Sequence, residues 1–220
     1  MVKLCGVEEA GRGPVIGPLV VAGVTFKDDN QLIKMNVRDS KKLTPKRREF
    51  LADKIKKFAL KYEILVIFAK DIDDMRKVMT LNEIEVNAFT AIIKKLKPDI
   101  CFVDSADVNE ERFGKNISKN LSFKTEIISK HKADDIYPIV GAASILAKTK
   151  RDEEIRIISE KLQEKLKIPL GSGYPADPIT QKFLKTWLEN YEKFPIYVRY
   201  SWKNAKALLK EKNTKKLDDF

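Results

Sequence analysis

At 220 residues, 43% hydrophobic and 34% charged, the chain can bury one sizeable core, or a core with a small appendage. No apolar run approaches the ~18 residues of a membrane span, and acid arriving by residue 8 argues against a secretory leader, so a cytoplasmic protein is expected. With 43 Lys and Arg against 32 Asp and Glu, the net charge of +11 points to an anionic polymer such as nucleic acid as partner.

Three segments rich in Val, Ile and Phe, Val2–Glu9, Val15–Phe26 and Tyr62–Lys70, read as strands bounded by turn residues. The first ends on adjacent carboxylates, Glu8 and Glu9, followed at once by the turn Gly11-Arg12-Gly13-Pro14. Thr44 as N-cap and Pro45 at the first helical position open a helix, in which Leu51, Ile55, Phe58 and Tyr62 recur at helical spacing. A second helix begins near Leu81, carries Ile84, Ala88, Ile92 and Leu96 on one face, and stops at Pro98. Ile100–Asp104 is a short strand, 109–120 a polar helix, and Phe123–Ile128 a fifth strand.

From Pro138 to Leu166 the pattern is helical, with small residues at Gly141, Ala142, Ala143 and Ser144 and an apolar stripe at Ile155, Ile158, Leu162 and Leu166. A Gly-Ser-Gly-Tyr-Pro loop at 171–175 precedes helices over 178–191 and 202–212, and 213–220 reads as a polar tail. This order predicts an α/β protein with a mixed five-stranded sheet flanked by helices.

Right-handed βαβ steps set the strand ending at Asp104 beside the first strand. Cys5 lies three residues before Glu8 and Cys101 three before Asp104, so the same register makes the cysteines neighbours on the opposite face, buried and reduced. Two Cys and one His cannot build a structural zinc site.

Glu8, Glu9, Asp104 and Asp134 lie at strand ends or just before a helix, where the active sites of α/β sheets gather. Taken singly, each acid could be a solvated loop residue or a helix cap. Taken as a set beside Gly-Arg-Gly, they suit two hard divalent cations, which prefer oxygen ligands and activate water against a phosphodiester. The glycines admit a ligand close to the backbone, and Arg12 is a phosphate-seeking fork. The spacing Gly11-x-Gly13-x-x-x-Gly17 does not match a dinucleotide fingerprint, and a strand rather than a helix follows it. His131 reads as structural or as a phosphate contact, and Trp187 and Trp202 as packing residues.

Six ordered motifs carry a resemblance: Gly-Val-Glu-Glu-Ala-Gly-Arg-Gly-Pro, Asp-Ser-Lys-Lys-Leu, Val-Asp-Ser-Ala-Asp, His-Lys-Ala-Asp-Asp, Ala-Ala-Ser-Ile-Leu-Ala-Lys and Gly-Ser-Gly-Tyr-Pro-Ala-Asp-Pro. Together, over about residues 3–203, the chain resembles ribonuclease H type 2 in its archaeal form. The resemblance implies an RNase H-like fold with a helical C-terminal extension. It also implies cleavage of RNA in RNA/DNA hybrids, and of duplex DNA on the 5′ side of an embedded ribonucleotide, leaving 3′-hydroxyl and 5′-phosphate ends. By motif, Glu8, Glu9, Asp104 and Asp134 match the four catalytic acids, served by two Mg²⁺ or Mn²⁺ ions. Gly11, Arg12 and Gly13 match the segment that senses the 2′-hydroxyl, and Tyr174 the aromatic against the neighbouring sugar. Ser40, Lys41 and Lys148 fall in motifs that approach the phosphate backbone.

The family has Asp where this chain has Glu8, one methylene longer. Two alternatives stay open: another two-metal nuclease, such as an exonuclease or resolvase, which also gathers acids, and, because of Glu8, a nucleic-acid-binding variant with impaired catalysis. The expected division is a catalytic domain over 1–170, a substrate-binding helical extension over 171–212 and a flexible tail over 213–220, in a monomer. The tail sequence Leu-Asp-Asp-Phe resembles a sliding-clamp (PCNA)-binding peptide, with Leu217 and Phe220 as anchors, although Thr214 stands where Gln is usual.

Overall fold

A computed structural model describes residues 2–37 and 43–218, the side chains of 215–218 excepted. The chain divides into two compact units: Met1–Ala10, Val20–Val66 and Met79–Lys150 form the first, and Gly11–Leu19, Ile67–Val78 and Arg151–Phe220 the second. This division does not follow the expected boundary at 170, because residues 151–170 pack with the C-terminal helices.

The sheet has the order β3-β2-β1-β4-β5, with β1 Leu4–Ala10, β2 Leu19–Phe26, β3 Lys61–Ile67, β4 Ile100–Asp104 and β5 Glu126–Lys130. β1 runs antiparallel to β2 and parallel to β4, and β4 is parallel to β5, so the sheet is mixed as expected. Leu4 faces Ile100, Cys5 faces Cys101 and Val7 faces Val103. The predicted register therefore holds, and both cysteines are buried free thiols.

In the first unit, α2 (Pro45–Phe58) is capped by Thr44, whose Oγ1 accepts from Arg47 N at 3.3 Å. A capping box of Thr80 and Glu83 opens α4 (Leu81–Leu96). Asn109 caps α5 (Glu110–Lys119), accepting from Arg112 N at 2.8 Å. α7 (Pro138–Gln163) presents buried Ile139, Val140, Ala142, Ala143, Leu146 and Ala147 to the core formed with β2 and α2. Its approach to β1 is close: a Cβ on Gly6 would run into the Ile139 carbonyl. The other sheet face is covered by α4 and α5, where Phe89 and Phe113 meet edge to face at 5.2 Å.

The second unit includes α3 (Ala69–Met75), and packs the end of α7, α8 (Pro178–Asn190) and α9 (Lys203–Asp218) around Ile158, Leu162, Phe183, Leu184, Trp187 and Ala205. Among the described residues no helix is long and apolar enough to cross a membrane.

Several boundaries differ from the sequence reading. Residues 15–18 are not strand, because Val15 N and Ile16 N donate to the Gly173 carbonyl at 2.8 and 3.2 Å instead of to a ladder. The expected strand Tyr62–Lys70 stops at Ile67, where Phe68 caps α3. α1 (Asn30–Met35) and the one-turn α6 (Ala133–Ile136) are short helices that no apolar periodicity signalled. β5 is shifted towards the C-terminus from the expected 123–128, because pairing with β4 sets Ile100 against Glu126 and Asp104 against Lys130. α7 ends at Gln163 rather than Leu166. α9 continues past 212 to Asp218, since no Gly or Pro interrupts 203–218.

Candidate active site

The carboxylates belong to the first unit. With side chains alternating along β1, Glu8 shares the face of Gly6, which packs on α7. Continuing the β1–β4 register by one residue brings Glu8 beside Asp104. Asp134 sits in α6 and is only 3% exposed. Its loop is tied to β4, because Ala133 N donates to Asp104 Oδ1 at 3.0 Å. Lys148 of α7 stands 3.9 Å from Asp134 Oδ2 and donates to Ser144 Oγ at 2.7 Å.

Glu8 is 7% exposed, and its Oε2 is buried without a hydrogen-bond donor. Burial pushes its carboxyl well above the usual range; the charge of Glu9 adds to this, and Asp104 and Asp134 add less, against the pull of Lys148. Glu8 thus feels the charge of the other three acids. Among the described residues, however, no three His, Cys, Asp or Glu side chains are closed into an arrangement that holds a metal ion. A buried acceptor with no donor, among acids in excess of cations, fits hard divalent cations in donor type and in charge.

The Gly-Arg-Gly turn and Tyr174 belong to the second unit. In sequence, Gly11 follows Glu9 by two residues. Gly11 has φ +89°, and a Cβ there would stand 2.5 Å from the Pro18 carbonyl, so the turn requires glycine. At Gly13 a Cβ would lie 3.5 Å from the Tyr174 ring, an ordinary contact that places the ring against the turn. Tyr174 is exposed, with the Arg151 guanidinium 5.2 Å from its ring centre. Arg151 also donates to the Ser172 carbonyl at 3.1 Å, which fixes the loop bearing Tyr174.

The family model described as Ribonuclease HII matches residues 5–205. Ribonuclease HII of Methanococcoides burtonii is 46% identical over 215 residues, covering 94% of this chain and 99% of that protein.

The chain belongs to the ribonuclease HII family.

Among solved structures, ribonuclease H2 of Pyrococcus horikoshii superposes with a TM-score of 0.89 at 39% identity, covering 96% of this chain and 99% of that one. RNase HII of Archaeoglobus fulgidus, solved in complex with PCNA, gives 0.85 at 42% identity, covering 92% and 96%. Membership of the ribonuclease HII family makes the chain a nuclease that cuts the RNA strand of RNA/DNA hybrids.

Other expected positions fall variously. Ser40, Lys41 and Phe220 lie outside the described residues, and Leu217 falls within α9. His131 is held through its backbone N–H, which donates to Glu110 Oε1 at 2.6 Å, with its Nε2 3.4 Å from the Val108 carbonyl. Trp187 is a core residue as expected, its Nε1 donating to the Lys193 carbonyl at 2.9 Å. Trp202 is more than packing, because its Nε1 donates to the Gly13 carbonyl at 3.1 Å. Arg199 was not singled out by any sequence signal. It is wholly buried and donates to the carbonyls of Gly11, Arg12 and Gly17.

Proposed function

We propose that the chain cleaves RNA/DNA hybrids and duplex DNA containing single ribonucleotides, on the 5′ side of the ribonucleotide, leaving 3′-hydroxyl and 5′-phosphate ends. Glu8, Glu9, Asp104 and Asp134 would hold two Mg²⁺ or Mn²⁺ ions. When bound, such a pair supplies an activated water and a stabilised leaving oxygen. The observation that carries this reading is Glu8, a buried carboxylate with a donor-less oxygen that feels Glu9, Asp104 and Asp134.

The chain's own groups do the rest. Lys148, beside Asp134, offers a cation to the backbone phosphate next to the cleaved bond. Ser40 and Lys41 serve the flanking phosphates. The Gly11-Arg12-Gly13 turn reads the 2′-hydroxyl through its backbone, and Tyr174 holds the adjoining sugar by its exposed ring. In functional terms residues 1–170 form the catalytic domain and 171–212 the substrate-binding extension. Residues 213–220 carry the clamp-binding peptide, with Leu217 and Phe220 as anchors. The Archaeoglobus fulgidus relative, solved as a complex with PCNA, supports a clamp as partner. Titrating the cognate clamp with the full chain and with a chain ending at Lys212 tests the tail assignment; equal affinity of the two forms, or binding by neither, refutes it.

Cleavage of a duplex with one ribonucleotide, with Mg²⁺ and with Mn²⁺, tests the catalytic reading. Asp104→Asn is expected to lower turnover by orders of magnitude while duplex binding persists, because the basic surface is untouched. Unchanged cleavage by Asp104→Asn sinks the site assignment. Glu8, one methylene longer than the family's Asp, favours a second reading, binding without turnover, and the same assay on the unaltered chain separates the two.

A further inference from the structure

Arg199 has no exposed surface, a costly position for a charge unless its donors are met. Its fork meets them with backbone oxygens remote in sequence. Nε donates to Gly17 at 2.9 Å, Nη1 to Arg12 at 3.0 Å and Nη2 to Gly11 at 2.6 Å. The guanidinium lies 4.7 Å from the centre of the Trp202 ring, and Trp202 Nε1 takes the Gly13 carbonyl. Two side chains from one short segment therefore collect all three carbonyls of the Gly-Arg-Gly turn.

That segment is itself fixed. Arg199 N donates to the Val15 carbonyl at 2.8 Å. Tyr200 N and Ser201 N donate to the Asp73 carboxylate at 2.7 and 2.9 Å, joined by Ser201 Oγ at 2.6 Å.

The direction of the turn's donors follows from peptide planarity. Among the described residues every peptide bond is trans, so each carbonyl points opposite to the N–H of the next residue. With the Gly11 and Arg12 carbonyls drawn to Arg199, the N–H groups of Arg12 and Gly13 point away from it. The Gly13 carbonyl is followed by Pro14, which has no N–H. The Arg12 and Gly13 N–H groups are thus aimed directly by Arg199, and Trp202 steadies the turn by holding the peptide that follows Gly13.

We infer that Arg199 and Trp202 are specificity-determining positioning residues, Arg199 aiming the Arg12 and Gly13 amides at the 2′-hydroxyl of a ribonucleotide and Trp202 steadying the turn. This rests on the reading of Gly11-Arg12-Gly13 as the ribose-sensing turn. A lysine at 199 would keep the charge but satisfy fewer of three divergent carbonyls, because only arginine supplies a rigid fork.

The test compares kcat/KM on a DNA duplex with one ribonucleotide, on an RNA/DNA hybrid and on the all-DNA duplex, for the wild type, Arg199→Lys and Trp202→Phe. Melting temperature and duplex Kd are measured alongside. A misaimed turn is punished most where a single 2′-hydroxyl is available, whereas a hybrid offers neighbouring registers. Arg199→Lys should lose about tenfold or more on the single-ribonucleotide duplex, the effect of one lost hydrogen bond of ~1.4 kcal/mol. The loss on the hybrid should be several-fold smaller, and duplex Kd should stay within about twofold. Trp202→Phe keeps an aromatic face towards Arg199 but removes the N–H and part of the indole, so it should shift the same ratio, with melting temperature reporting the lost packing separately, and it carries the test if Arg199→Lys does not fold. Equal losses on both ribonucleotide substrates, or wild-type ratios in the folded variants, overturn the inference alone. Failure of the wild type to prefer ribonucleotide-containing over all-DNA duplex overturns it together with the ribose-sensing reading.

Discussion

Replacing Glu8 by Gln removes a charge that the fold holds at a cost, so the variant should be more stable than the wild type while losing cleavage. The buried Oε2 has no donor, and Glu9, Asp104 and Asp134 all raise the cost of ionising this carboxyl. An unsatisfied buried polar atom costs about 1–3 kcal/mol, and the Gln amide faces those acids as a donor. For a chain of this length 1 kcal/mol moves the melting temperature by about 2–4 °C, so Glu8→Gln should melt about 2–12 °C higher in EDTA. The pH dependence has a definite sign. Glu8 binds its proton more tightly folded than unfolded, so wild-type stability falls as pH rises from the ordinary value near 4.5 towards the raised folded value. Glu8→Gln lacks this loss, so the two melting curves should converge below about pH 4 and separate above it. Mg²⁺ at ten times its Kd should return about 1.4 kcal/mol to the wild type and much less to the variant. Differential scanning fluorimetry across pH, with and without Mg²⁺, reads all three. A Glu8→Gln chain that melts below the wild type in EDTA, or gains as much from Mg²⁺, would refute the reasoning.

Glu8→Asp should shorten the ligand and raise Mg²⁺-supported cleavage; a fall in initial rate would mean that the surrounding residues are adapted to Glu. Gly11→Ala should destabilise by about 1–3 kcal/mol, because φ +89° is strained for a side chain and the new Cβ meets the Pro18 carbonyl, and a melting temperature within error of the wild type would contradict this. Asp177 caps α8 and also holds Ser172, and these hydrogen bonds keep its carboxyl at about 2. Its contribution is present above the ordinary value near 3.8 and is lost as pH falls towards 2. Asp177→Ala should therefore cost about 1–2 kcal/mol near neutrality and flatten the acid limb of the stability curve between about pH 4 and 2, an outcome checked by urea titration at several pH values.

The sequence by itself determined the mixed sheet and the register of its central strands. Those features rest on short-range signals: period-two alternation, β-branched runs, helix caps, and acids at the ends of apolar segments. Right-handed βαβ steps and the acids at two strand ends aligned β1 with β4, and the structure pairs Cys5 with Cys101 as that register requires. The tertiary structure alone decided that residues 15–18 leave the sheet, although Val15, Ile16, Leu19 and Val20 read as one strand. It alone decided where β5 begins, since the ladder with β4 starts at Glu126 rather than at Phe123. It alone revealed Arg199 and Trp202, whose acceptors in the Gly-Arg-Gly turn lie 187 to 189 residues away. Every residue offers the same backbone carbonyl, so an arginine that binds three of them leaves no mark on the residue types at the other end. Side-chain chemistry is written in the sequence, but the capture of backbone groups is settled only when the chain has closed on itself.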